Sequence, residues 1–97
     1  MSWEMRQTRR FARSCKKLLD YIVTEVDAAV AMIVQNPDGG EKKKGDLAQL
    51  WVHTFCCMGQ LYLLGYTHQD DVRLVYFQAV GPHENFCRDM KRSPPED

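Results

Sequence analysis

Apolar and polar positions divide this chain into two regimes. From Glu4 to about Gln35 no Gly or Pro interrupts the sequence, and apolar residues recur at steps of three and four. Placed at 100° intervals, Phe11, Cys15, Leu18, Leu19, Ile22, Val26, Ala29 and Ile33 share a stripe within about 100° of arc. Arg6, Arg9, Arg10, Arg13, Lys16 and Lys17 fall on the opposite side, and the polar face then turns acidic at Asp20, Glu25 and Asp27. The pattern predicts one long amphipathic helix, with Ser2 able to cap its start. Asn36-Pro37-Asp38-Gly39-Gly40 ends it, because proline restricts the residue before it and the glycines supply turn conformations. EKKKG at 41–45 completes an exposed loop.

The second regime is the stretch from Leu47 to Thr67, LAQLWVHTFCCMGQLYLLGYT, which contains no Asp, Glu, Lys or Arg. Such a segment is either the buried centre of a small fold or a membrane span. Asp46 with Gln49 three residues on resembles a capping box, so a helix is expected to begin at Leu47. On that helix Gln49, His53 and Gln60 would lie within about 40° of one another. A lipid-facing helix gains nothing from a polar stripe, and polar side chains near mid-bilayer are costly. The lysines before the segment and Asp70–Asp71 after it do suit a span with its N-terminus inside. The polar stripe outweighs them, and a buried central helix is the expectation.

Beyond Gly65 two readings compete. Thr67-His68-Gln69-Asp70 resembles another capped helix start. Val72 to Val80, VRLVYFQAV, is instead rich in β-branched and aromatic residues, and LYLLGY and VRLVYFQAV around THQDD could pair as a β-hairpin. The two capping signals favour helix. Gly81-Pro82 is a break, His83 to Arg92 is expected to form a short last helix, and residues 93–97 a frayed tail. The expected fold is all-α: a compact bundle of three to four helices over residues 1–92, with Leu47–Tyr66 at its centre. The alternative is α+β with a C-terminal β-hairpin.

Composition narrows this only a little. Ninety-seven residues make one domain, and 44% apolar with 27% charged residues is the balance of a globular chain. Thirteen basic residues offset thirteen acidic ones, so bulk charge selects no partner. MSWEMRQTRRF carries no apolar signal region, which gives the expectation of an intracellular protein, cytoplasmic or nuclear. Cys15, Cys56, Cys57 and Cys87 read as free buried thiols, since neighbouring Cys56 and Cys57 do not suit a spaced disulfide framework.

Candidate chemistry is sparse. On helices, His53 with Cys57 and His83 with Cys87 would each share a face, and together they offer a tetrahedral zinc set. The spacing is not that of a zinc element, and residues of these kinds in a buried helix usually just fill space, so no metal is expected. A Cys57–His53 nucleophile pair lacks a glycine-flanked turn and an evident oxyanion site. NPDGGEKKKG lacks the spacing of a phosphate-binding loop. The chain is therefore expected to be no enzyme and to need no cofactor.

The expected function is a small non-enzymatic helical interaction module. It would self-associate and bind a protein partner through apolar helix faces. Phe11, Leu18, Ile22 and Val26, close to a heptad rhythm, are the candidate oligomer interface. The alternative is nucleic-acid binding by Arg6, Arg9, Arg10, Arg13, Lys16 and Lys17, aided by Lys42, Lys43 and Lys44. A solvated face usually mixes signs, and this one does not. Arginine suits bidentate phosphate contacts, and the lack of aromatic residues on that face points to a duplex read by shape. A membrane-associated adaptor, anchored by Trp3, Met5 and Phe11, ranks third.

Overall fold

Thr8 decides how the N-terminal third folds. In the computed structural model, which describes residues 3–42 and 50–84, the Thr8 hydroxyl accepts a hydrogen bond from Phe11 N at 3.1 Å. That is an N-cap, and it starts a helix at Arg9 rather than at Glu4. The residues before it, Glu4–Gln7, form strand β1, and Arg9–Lys16 forms α1. The backbone then tightens: Lys17 N donates to Ser14 O and Leu18 N to Cys15 O, and α2 runs over Asp20–Gln35. A short 3-10 turn, Pro37–Gly39, leads to β2 (Glu41–Lys42), and Trp51–Cys57, Gln60–Gln69 and Leu74–Pro82 follow as β3, β4 and β5.

The five strands make one sheet in the order β1-β5-β4-β3-β2. β1 lies parallel to β5, with Glu4 opposite Leu74 and Gln7 opposite Phe77, while the other pairs are antiparallel. A bulge between Gly65 and Tyr66 sets Tyr66 opposite Phe77 and Gly65 opposite Ala79, which leaves Gln78 as an extra residue. Both helices pack on one face, where Phe11, Ile22, Val26, Ala29 and Ile33 meet Tyr62, Leu64, Tyr66, Val75, Phe77 and Val80. Leu50, Val52, Leu63 and Ala79 form a second buried cluster on strand positions that alternate with the first. Thr8 also ties helix to sheet, since its hydroxyl donates to Phe77 O and Gln78 O at 3.1 and 3.2 Å across the bulge.

The all-α bundle is therefore corrected to α+β, a sheet with two helices. The long helix is a strand and two helices. Its apolar stripe survives the break because α1 and α2 both face the same sheet. The uncharged stretch is the β3–β4 hairpin, turned by Met58 and Gly59 with φ of 53° and 79°, the positive pair that a two-residue type I′ turn needs. It lacks charge because the middle of β4, Tyr62 to Tyr66, is buried on both faces of the sheet. Among the described residues no helix is long and apolar enough to cross a membrane.

The helix start read at Thr67 is strand, and β4 continues through it to Gln69. The β4–β5 hairpin of the alternative reading is present, but as the centre of a five-stranded sheet. The proposed cap at Asp46 and Gln49, most of the last helix and the tail at 93–97 lie outside the described residues.

Candidate functional site: a histidine held between two carboxylates

Where β4 leaves the core, alternation puts His68 on the same face as Tyr66, and the register sets Trp51 of β3 opposite Tyr66. The His68 side chain is only 6% exposed. Trp51 leans on it with ring centroids 4.9 Å apart, Trp3 meets it edge-on at 5.7 Å, and Tyr66 lies at 6.3 Å. Its Nδ1 is 2.6 Å from Asp70 Oδ1 in the turn after β4, and its Nε2 is 3.4 Å from Asp38 Oδ1 in the 3-10 turn. Nε2 is buried and has no hydrogen-bond partner among the described residues. Both aspartates are largely exposed, so the cluster is an imidazole walled by aromatic rings and flanked by two solvated acids.

Tyr66 positions one of those acids. Its hydroxyl donates to Pro37 O at 2.6 Å and so fastens the 3-10 turn that carries Asp38. Burial pushes the Tyr66 phenol up to about 12; the Asp38 charge adds to this, and a backbone hydrogen bond with Gly40 pulls the other way. Gly40 must be glycine here, because a Cβ would collide with the Tyr66 hydroxyl and lie 2.9 Å from Val52 O. Asp38, His68 and Asp70 each offer a ligand atom, and these atoms lie within 4.8 Å of one another, a donor set suited to a divalent cation.

The residues expected from sequence are placed differently. Arg9, Arg13, Lys16 and Lys17 share the exposed side of α1 opposite Phe11, and Arg10 is half-buried beside them. Arg6 is not on that helix: it sits in β1, bonded to Met5 O and paired with Glu4 at 3.3 Å. Lys43 and Lys44 lie outside the described residues. Phe11, Ile22 and Val26 are buried against the sheet, with Leu18 packed beside them, so the residues chosen as an oligomer interface are core.

His53 and Cys57 stand in an extended strand, where four residues span about 13 Å, too far for one metal ion or a proton relay. His83 is exposed and Cys87 lies outside the described residues. Among the other cysteines Cys56 is exposed, not buried as expected, while Cys15 and Cys57 are half-buried. Burial raises the Cys15 thiol, with Asp27 adding to the effect, and burial lowers His53. No sequence signal marks the His68 cluster, whose members come together from residues 3, 38, 51, 66, 68 and 70 through the sheet register.

A sheet of this order with two helices on one face is an α+β fold. The chain is similar to a double-arginine mutant of the E. coli toxin RelE in the free state, at 17% identity and a TM-score of 0.72, covering 96% of this chain and 99% of that one. It is also similar to a chain of the Mycobacterium tuberculosis RelBE2 toxin-antitoxin complex, at 22% identity, a TM-score of 0.70 and coverage of 86% and 100%. A third likeness is to a chain of the intact E. coli RelBE toxin-antitoxin complex, at 16%, 0.68, 82% and 95%. At these identities the likeness carries the fold. No curated protein matches the chain.

Residues 5–91 match the ParE-like toxin of type II bacterial toxin-antitoxin systems, and the chain belongs to that family. Membership overturns the helical interaction module, and it favours neither the duplex-binding alternative nor the membrane adaptor. It also removes the nuclear option, since the family is bacterial. A protein partner stands, because such a system pairs toxin with antitoxin.

Proposed function

We propose that this chain is a toxin of the bacterial cytoplasm that halts growth when free, and that a protein antitoxin silences it by laying a short segment along its surface. The family match over residues 5–91 carries this reading. It is supported by the likeness, at a TM-score of 0.70, to E. coli RelE in complex with a peptide of its antitoxin.

Two exposed features of the helices suit such a segment. Tyr21 and Met32, 49% and 62% exposed, lie about 20° apart around α2, off its buried side. Arg9, Arg13, Lys16 and Lys17 offer an exposed cationic face on α1. An amphipathic segment with apolar anchors and acidic residues matches both.

The proposal includes action without turnover. The one imidazole among the described residues that lies between carboxylates is buried beneath two indoles, and both of its nitrogens are engaged by or turned to aspartates. That geometry suits a structural role better than proton transfer to a substrate.

Induced expression in a bacterial host tests the first part. Growth should stop, and co-expression of the protein encoded beside the toxin should restore it. A folded, well-expressed chain with no effect on growth would overturn the toxin reading. Tyr21→Asp with Met32→Asp should stay toxic yet escape neutralisation; full neutralisation would move the antitoxin to another surface. In a cell-free extract, late addition of antitoxin should restore activity completely. Lasting damage would show that the target had been chemically altered.

A further inference from the structure

We propose that Asp38 and His68 bind a divalent transition-metal ion, with Asp70 as the outer carboxylate that orients the imidazole. The short contact of 2.6 Å between His68 Nδ1 and Asp70 Oδ1 makes Nδ1 the donor, and in the neutral ring that leaves a lone pair on Nε2. Nε2 is buried, has no hydrogen-bond partner among the described residues and faces Asp38 Oδ1 at 3.4 Å. Without a cation, a lone pair there meets a carboxylate oxygen.

The spacing fits an ion between them. Metal–nitrogen and metal–oxygen bonds of about 2.0–2.2 Å, opened to a tetrahedral angle, separate two ligand atoms by about 3.4 Å. The contact with Asp70 is too short for two ligands of one ion and has the length of a charge-assisted hydrogen bond. The arrangement is the carboxylate–histidine–metal relay, in which the outer acid fixes the tautomer and raises ligand basicity. Asp38 is 67% exposed, so water can complete the coordination from its side. One imidazole with one carboxylate suits Zn²⁺, Co²⁺ or Ni²⁺ better than Ca²⁺ or Mg²⁺. The Tyr66–Pro37 hydrogen bond holds the Asp38 turn in place before any ion arrives. A bound ion would join the turn after α2 to the end of β4.

The chain carries its own reporter, because its only two tryptophans, Trp3 and Trp51, both pack on His68. Titrating the purified chain with Co²⁺ should quench tryptophan emission in a saturable way, reversed by chelator and displaced by Zn²⁺. Asp38→Asn should weaken binding at least about 100-fold, and Asp70→Asn about 10–100-fold, the usual cost of losing an outer-shell partner. Both aspartates are exposed, so circular dichroism of the apo variants should match the parent. Cys56→Ser with Cys57→Ser should leave the quench unchanged. Absence of saturable quenching at millimolar Co²⁺, or an unchanged affinity in Asp38→Asn, would overturn the site. Loss of quenching in the double serine variant would assign the ion to the thiols instead. The titration reads binding by the folded chain and is independent of toxicity.

Discussion

Tyr66 is where a single side chain has the widest reach. It is fully buried, packs between the core and His68, and spends its hydroxyl on Pro37 O. Tyr66→Phe keeps the ring and removes that bond, so it should cost about 1–2 kcal/mol in urea unfolding at neutral pH. The pH dependence has a definite sign. The unfolded phenol ionises near 10 and the folded one at about 12, so the neutral side chain stabilises fully below pH 10, and that contribution drains away between pH 10 and 12. The parent should therefore lose stability in that window more steeply than Tyr66→Phe; parallel curves would refute the assignment. None of this was legible in the sequence, where Tyr66 closes an apolar run and Pro37 reads only as a helix breaker. The bond links residues 29 apart, and no local pattern encodes it.

At the scale of elements, periodicity identified faces better than it identified structure. Phe11, Ile22, Val26, Ala29 and Ile33 are core as their spacing implied, yet nothing between Lys17 and Asp20 announces the break between α1 and α2. The cap that matters is Thr8, whose role emerges only when β1 finds β5. Thr8→Ala should cost about 1–2 kcal/mol, the usual loss for an N-cap, and Thr8→Ser should recover most of it. Equal losses in the two variants would mean that the methyl group, not the hydroxyl, does the holding.

The β3–β4 hairpin was hidden for a different reason. Met58 occupies a left-handed position with φ of 53° and is 83% exposed, so the residue that would signal the turn is absent. Met58→Asn should raise stability by about 0.5–1 kcal/mol by supplying the Asn-Gly pair that type I′ turns prefer. Thermal unfolding checks it, and a lower midpoint would contradict the turn.

Across the whole molecule, burial was legible in part and architecture was not. Of the uncharged run, Tyr62 to Tyr66 are buried while Thr54, Cys56 and Met58 to Leu61 are exposed, and only the competition between capping signals and β-branched residues separated helix from strand. Tertiary context decided, because a central strand covered on both faces needs no polar alternation. The His68 cluster was beyond reach for the same reason as Tyr66. Phe77 sits at the centre of the result, opposite Tyr66 and Gln7 and against Phe11. Phe77→Ala should cost about 3–5 kcal/mol, against a total of about 5–15 for a domain of ordinary stability, and lower the urea midpoint accordingly. An unchanged midpoint would show that the core tolerates the cavity.

The parallel pairing of β1 with β5 also bears on how the protein is made. Glu4 to Gln7 leave the ribosome early, but the residues they pair with, Leu74 to Phe77, are added 70 positions later. At 5–20 residues per second that delay is roughly 4–14 s, during which the edge of the sheet has no neighbour to form against. A nascent chain cannot close this sheet before Leu74 to Phe77 have emerged. For the toxin proposed above, vectorial synthesis itself defers the moment of danger and gives an antitoxin time to be present when β5 docks.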